Sequence, residues 1–541
     1  MHKKLLTFIL LIILFQFSKA QNEFITIWKP NIQSPTTINA PTAAGVNQIW
    51  FPGIGDNYTI TWEEVGFPQH NGTMTNVTSA SQVLIDFGFS LNPEPADATF
   101  RVKASNGAGT FKQIRFSIPG ITSNNGNIFI TWNLYGSVDR ITGIEQWGNI
   151  QWTSMASAFA NCKLLQLTAT DSPNLSNVTD ASFMFSDTFS FTGNPSMSNW
   201  NTSGVKDFRY MFGFTPYSSI PSNNAFDAPI GSWNTSSAED MSYMFNERRS
   251  FNQNLNSWNT SKVKDMRYMF ANCSAFNQPL DNWDTSKVTN MSFMFHLIPN
   301  FNQPIGNWNT SNVTDISHMF HAVAAFNQPL NSWDVSKVTD MNTAFANATN
   351  FNQPLDSWNT SQVTNMLALF WLASSFNQSL QNWNLSSLTL AIAMISFTGI
   401  DCENYSKTLS GWADNINTPD NINLGALTPL MYSTDVIGKR NILISKNWVM
   451  TGDVIGECRL GTSEQSMHNQ PSIYPNPATD FIYLKNIKGL SSYKIFDTSG
   501  RIVLQGLLNG ENINVNSLIK GNYILQVISE EKTYSLKLIK K

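Results

Sequence analysis

The sequence predicts a multidomain chain with an N-terminal β-sandwich-like domain, an α/β solenoid of 25-residue repeats and a C-terminal β-sandwich domain. Three observations carry this. Trp233, Trp258, Trp283, Trp308, Trp333, Trp358 and Trp383 recur at a fixed interval of 25, and Phe226 to Phe376 keep the same interval. Short alternating apolar runs divided by Gly, Pro and Asn flank that array on both sides. The chain is 541 residues long with 42% hydrophobic and only 13% charged residues. It has the apolar content for cores and lacks the charge density of a disordered or nucleic-acid-binding chain.

Residues 1–20 read as a signal peptide. Lys3 and Lys4 precede an apolar run from Leu5 to Phe15, and Ser18-Lys19-Ala20 offers small residues before a cut at Gln21. That run is too short for a transmembrane helix, and no later segment is a better candidate, so no transmembrane segment is expected. Gln21 in place of Cys argues against a lipid anchor there. The basic charge sits at the two ends, in the lysines of residues 1–20 and in residues 471–541. The stretch between is acidic and offers no basic face for nucleic acid or anionic lipid.

Residues 21–140 carry alternating runs at Tyr58–Trp62, Val83–Phe87, Phe111–Phe116 and Ile128–Trp132, read as the all-β N-terminal domain. It is expected to cap and space the repeats. Residues 141–400 are the solenoid. Seven units run in register from Phe226, and three looser ones precede them, marked by Trp152…Phe159, Val178…Phe185 and Trp200…Phe212. Residues 213–225 interrupt the period and are expected to project as a loop. Within a unit, Val288, Met291, Met294 and Phe295 lie on one face of a short helix, with Thr289 as its N-cap. Leu280 to Trp283 reads as a short strand. A strand-plus-helix unit of this length is leucine-rich-repeat-like. Neighbours must bury the apolar stripe that no unit can bury alone.

Residues 401–458 break the period and read as a terminal cap, 459–470 as a polar linker and 471–541 as a compact β-domain. Of the four cysteines, Cys402 and Cys458 bracket the cap and are the plausible bonded pair. Cys162 and Cys273 share a repeat column several units apart and should not meet. No Cys/His cluster has zinc spacing.

Several columns invite a functional reading. The tryptophans suggest a sugar-stacking platform, but each unit also needs one large core filler, and that is the reading adopted. The Asn-Gln pair after each Phe reads as an amide ladder that satisfies turn backbones. Asp180, Asp207, Asp240, Asp265, Asp315 and Asp340 suggest calcium ligands. Asn290 and Asn365 fill the same column, so helix capping is the better account. His296 and His321 lie 25 apart, with His318 nearby. Three imidazoles could converge as a transition-metal site requires, but chance adjacency is the expectation, and no metal is assigned. The Asn-Thr-Ser sequons at Asn201, Asn234, Asn259, Asn309 and Asn359 recur because the turn recurs.

The unit Phe276-Asn-Gln-Pro-Leu280-Asp-Asn-Trp283…Val288-Thr-Asn-Met291-Ser-Phe-Met294-Phe295 resembles the BspA-type leucine-rich repeats of bacterial surface proteins. The resemblance spans about residues 145–400 and implies adhesion to a host or matrix. Tyr474-Pro-Asn-Pro477, Phe496-Asp-Thr-Ser-Gly500-Arg501, Gly521-Asn-Tyr523 and Lys540-Lys541 resemble the C-terminal sorting domain of the type IX secretion system. That implies a Gram-negative bacterium of the Bacteroidetes group and recognition of residues 471–541 by the secretion machinery. It also implies passage across the outer membrane, usually with removal of this domain and surface anchoring.

The expected function is a secreted or cell-surface adhesin-like protein whose solenoid contacts an extracellular protein or glycan. The alternative is a self-associating structural surface-layer or matrix component. No enzyme is expected. The acids recur in columns, where a glycosidase places two carboxylates singly. No G-x-S-x-G, H-E-x-x-H or P-loop occurs. Catalytic, cofactor and metal residues are therefore expected to be none. The residues that would hold a ligand are not legible.

Overall fold

The computed structural model describes residues 22–33, 38–124, 127–216, 224–456, 458, 472–485, 491–497, 501–508, 512–529 and 532–541. The signal peptide, the linker and the tip of the 213–225 insertion lie outside these. The chain divides into two compact units, residues 1–458 and 459–541.

The first unit begins with strands β1 (Phe24–Trp28), β2 (Gln48–Phe51), β3 (Gly53–Glu64), β4 (Phe67–Ser79), β5 (Val83–Asp86), β6 (Phe100–Ser105), β7 (Thr110–Ile114), β8 (Ser117–Asn124), β9 (Asn127–Leu134) and β10 (Ile141–Gln146). The alternation read from the sequence is real: in β1, Phe24, Thr26 and Trp28 are buried and the residues between them are half-buried. The arrangement differs from a sandwich of two facing sheets. One seven-stranded sheet dominates, in the order β11-β10-β1-β6-β3-β4 with β7 also paired to β3, while β2–β5 and β8–β9 form separate two-stranded sheets. Its last strand, β11 (Gln166–Leu167), already belongs to the repeat array and pairs in parallel with β10. One apolar core therefore runs without interruption from Phe24 through the repeats to Met450.

The repeats are not an α/β leucine-rich-repeat solenoid. Among the described residues of 141–400 there is no α-helix, and Leu280–Trp283 is a turn closed by Trp283 N–H to Leu280 O (3.2 Å), not a strand. Each layer is built from turns, and single-residue parallel bridges join layer to layer from Asp180 through Asp207, Asp240, Asp265, Asn290, Asp315, Asp340 and Asn365 to Leu390.

The segment expected to be helical shows why. Met291, Phe293, Phe295 and Leu297 donate their N–H groups to Asp315, Ser317, Met319 and His321 in the next layer, at 2.8–3.1 Å. Between them Met294, His296 and Ile298 close turns onto the residue three before. No i to i−4 ladder is left to form. A helix is about 10 Å across, whereas rings on this segment meet their counterparts in the preceding layer at 4.1 Å (Tyr268–Phe293) and 6.0 Å (Phe270–Phe295). A helix per layer does not fit that spacing. A seven-residue helix would also fall short of self-sustaining length. Thr289, expected as an N-cap, donates its hydroxyl to Lys264 O (3.1 Å) in the preceding layer.

This turn chain requires left-handed backbone at Phe183, Tyr210, Tyr243, Tyr268, Phe293, His318, Thr343, Ala368 and Ala393, all with φ of 51–58°. Such φ values are costly for side chains other than Gly and Asn. Stacking with the next layer supplies the compensation.

The array ends on helices α1 (Cys402–Asp414) and α2 (Ile437–Ser445) and a parallel pair, Asn423–Ala426 with Val449–Thr451. Asp401 caps α1 through Asn404 N–H (2.8 Å). Trp412 of α1 takes the last place in the tryptophan column, donating Nε1–H to Leu380 O (3.1 Å). Cys402 and Cys458 are joined by a disulfide. Cys162 and Cys273 are buried free thiols.

The second unit has two antiparallel sheets. Ser472–Tyr474, Phe481–Lys485 and Asn512–Asn514 form one, and Ile502–Leu508, Ser491–Phe496, Gly521–Ser529 and Lys532–Lys540 form the other. Ala478, Ile482, Ile495, Val515, Leu525 and Leu538 share its separate core.

Candidate functional site

The columns resolve into core, scaffold and surface. The tryptophans are core: Trp233 to Trp383 are between 1% and 4% exposed. From Trp258 onward each donates Nε1–H to the Ile or Leu carbonyl 28 residues before it, at 2.9–3.1 Å. They offer no face to a ligand. The amide column is scaffold. Asn252, Asn277, Asn302, Asn327 and Asn352 each accept the backbone N–H of the next layer's Asn at 2.8–3.1 Å. The sequon asparagines accept the N–H two residues on, as Asn259 does from Ser261 (3.0 Å).

The acidic column caps backbone, but of turns and not of helices. Asp180, Asp207, Asp240, Asp265, Asp315 and Asp340 accept the N–H two residues ahead at 2.8–3.0 Å, and Asn290 does the same at 2.9 Å. That one acceptor is all the turn needs, so Asn serves equally. Burial pushes Asp207 up to about 6, aided by Asp240 and Asp180 in the adjacent layers. Its folded pKa lies above the unfolded value of about 3.9, so the ionised carboxylate weakens the fold at neutral pH and protonation relieves it. Asp207→Asn is expected to unfold at a higher temperature than wild type at pH 8. The gap should close as pH falls through 6 toward 4, which a thermal-melt series across that range checks.

One column reaches the surface as a ladder of rings. Phe183, Tyr210, Tyr243, Tyr268, Phe293 and His318 stack with centroids 4.9, 4.2, 4.5, 4.1 and 4.1 Å apart and planes within 13° of parallel. The ladder begins under Trp132 of β9, whose ring meets Phe183 edge-on at 5.5 Å. It lies outside the main core as a cluster of its own. Phe183 and Tyr210 are buried, while Tyr268, Phe293 and His318 are half-buried. Because ring faces cover one another, the accessible end offers ring edges and hydroxyls.

A groove of about 460 Å³ runs along this end, lined by Tyr243, Tyr268, Phe293, Arg267, Asn272 and Asp315 among others. Arg267 is held by Asp265 through Nε (2.7 Å) and a second guanidinium contact. Burial holds the Tyr243 phenol up at about 12 and raises Tyr268 too, so both remain donors at any physiological pH.

The ladder leads to the three histidines, which the structure brings together. One ring nitrogen from each lies within 4.8 Å of those of the other two. His296 and His321 face each other, Nδ1 to Nδ1, at 3.1 Å. The Thr343 hydroxyl lies 2.9 Å from both ring nitrogens of His318. Burial pushes His296 down to about 3 and His318 to about 4, and lowers His321, so all three rings are neutral at pH 7.

The ring ladder escaped the sequence reading although Tyr243, Tyr268, Phe293 and His318 sit 25 apart. A helical assignment put Phe293 and its counterparts opposite the apolar face of Val288, Met291, Met294 and Phe295. Asn161, Asn272 and Asn347, at the second left-handed position of their layers, were the one local sign of such backbone.

Residues 153–216, 217–308 and 294–412 match a family described as a Mycoplasma protein of unknown function, DUF285, and residues 472–541 match the secretion system C-terminal sorting domain. No curated protein matches the chain. Among the described residues no helix is long and apolar enough to cross a membrane. The sorting-domain match indicates secretion and cell-surface attachment of this chain by the type IX pathway of Bacteroidetes-type bacteria, and its repeats are similar to the DUF285 family.

Proposed function

We propose that this protein is an adhesin-like surface receptor that binds an extracellular protein or glycan along the groove between Tyr243 and Asp315. The carrying observation is the half-exposed end of the ring ladder, flanked by a guanidinium, side-chain amides and a carboxylate. Layer stacking does not need that mixture: the later layers place Thr343, Ala368 and Ala393 in the same column with the same backbone. Ring edges and phenol hydroxyls with adjacent amide and charged groups suit a polar polymer that forms directional hydrogen bonds over an apolar strip. Columns of recurring turn-capping acids favour binding over catalysis.

A screen of the secreted chain against glycan and extracellular-matrix protein arrays tests this. The expected result is a saturable ligand whose affinity falls at least about tenfold in Arg267→Ala and in Asn272→Gly, which keeps the left-handed backbone, with both variants still folded by their unfolding transitions. An array without hits, together with concentration-dependent self-association in sedimentation, would replace the receptor by a structural surface component.

A further inference from the structure

We propose that His296, His318 and His321 bind one divalent transition-metal ion through three imidazole nitrogens. Among the described residues this is the one group of three His, Cys, Asp or Glu side chains whose ligand atoms converge. The repeat does not require histidine at any of the three positions. The column of His296 and His321 holds Ala271, Ala346 and Trp371 in other layers, and that of His318 holds Tyr268, Phe293 and Thr343. Half of the chain's six histidines therefore meet at one place.

Two of the three nitrogens already stand at ligand spacing, with the third within 4.8 Å of them. Two nitrogens bonded to one tetrahedral zinc at about 2.0–2.1 Å stand about 3.3 Å apart. The Nδ1 atoms of His296 and His321 are 3.1 Å apart. Neutral imidazoles this close share one Nδ1 proton, and a metal ion bound between them would move that proton to the Nε2 of its own ring, so that both rings ligate as neutral imidazoles.

His318 meets Thr343 and Asn342 of the next layer. Thr343 donates its hydroxyl hydrogen to Asn342 Oδ1 (2.9 Å). Its oxygen stands 2.9 Å from both ring nitrogens of His318 and so selects neither, while the Asn342 side-chain amide contacts Nε2 at 3.4 Å. The three rings are half-buried, so a fourth position can be filled by water or by a group of a bound partner. Neutral imidazoles without a thiolate or carboxylate suit zinc, nickel, copper(II) or cobalt(II) and not calcium or magnesium.

The test uses the full secreted chain, prepared without a histidine tag and stripped with a chelator. Titration with Co²⁺ is expected to give visible ligand-field absorption saturating at one ion per chain, bleached by Zn²⁺. His296→Gln and His321→Gln should each weaken Co²⁺ at least about 100-fold. Unfolding midpoints of the metal-free variants are compared to confirm that they fold. Should they not fold, the Cu²⁺ spin-resonance spectrum of the unaltered chain decides by showing or lacking coupling to three nitrogens. Absence of saturation up to about 1 mM Co²⁺, or one-to-one binding retained in the triple Gln variant, would overturn the site. His296 also lines the groove, so the arrays are read with the metal-free chain, and a groove ligand bound there stands whether or not the metal site does.

Discussion

Arg248→Ala is expected to lower the unfolding free energy of the first unit by about 3–5 kcal/mol, the range for breaking a buried charged network from one side. Arg248 is fully buried. Its position in the layer is that of Cys273, Ile298, Val323 and Ala348, all apolar and buried. Its guanidinium donates to Phe212 O (2.6 Å), Thr188 O (3.3 Å), Phe185 O (3.4 Å) and Thr188 Oγ1 (3.1 Å). It lies 4.4 Å from the Phe214 ring centroid and 5.4 Å from that of Phe226. The period lengthens here: Asp207 bridges to Asp240, whereas later bridges join residues 25 apart. In a regular layer the carbonyl at this place accepts from the residue three ahead, as Phe245 O does from Arg248 N–H (2.8 Å); for Phe212 O, before the insertion, the guanidinium is the donor.

Burial pushes its pKa down to about 9, so the cation is retained at neutral pH despite its desolvation. Alanine would leave the Phe212 carbonyl unsatisfied beside a cavity. Arg248→Lys keeps the charge but not the fork, and should recover only part of the loss. Denaturant unfolding of the three chains measures this. A loss below about 1 kcal/mol for alanine would show that water satisfies that carbonyl instead.

Trp308→Ala is expected to cost a similar amount, about 3–5 kcal/mol, for a different reason. Trp308 is 3% exposed and stacks on Trp283 at 6.3 Å and Trp333 at 6.5 Å, with Phe295 at 6.1 Å. Its Nε1–H satisfies Leu280 O (3.0 Å). Truncation opens a gap shared by three layers and frees a buried carbonyl. Stability in a stacked array is the sum of layer terms and nearest-neighbour interfaces. The variant should therefore unfold over a broader denaturant range, with a reduced slope. Trp308→Phe keeps the stack without the hydrogen bond and should lose about half as much. An unchanged slope would mean that the array unfolds as one block with the N-terminal sheet, as its continuous core also permits.

How much of this was legible follows from which forces are local. The 25-residue period, the burial of tryptophan and the stacking need of each layer were readable. A column must present the same residue type to its neighbour, and the spacing records that directly. The short strands of residues 21–140 were readable because alternation is itself the signature of a pleat. The sorting domain was readable from turn residues at fixed places.

The backbone path of the layer was not. Val288, Met291, Met294 and Phe295 satisfy a helical pattern, yet they also satisfy a chain of turns that buries every second or third residue. The choice between the two is made by where the N–H of Met291 finds its acceptor, and that acceptor, Asp315 O, is in another layer. The merging of the N-terminal sheet with the first coil through Gln166 and Leu167 was hidden for the same reason. So was the role of Arg248, a lone charge in an apolar column.

By itself, the sequence determined that this is an exported, repeat-built protein with a sorting domain. Those properties live in composition, period and short motifs. Only the tertiary structure decided that the repeats are stacked turns without helices, that the ring ladder surfaces at Tyr268 and Phe293, and that three histidines converge. The physical reason is that a layer's hydrogen bonds and ring contacts are made to the next layer, about 25 residues away in the chain.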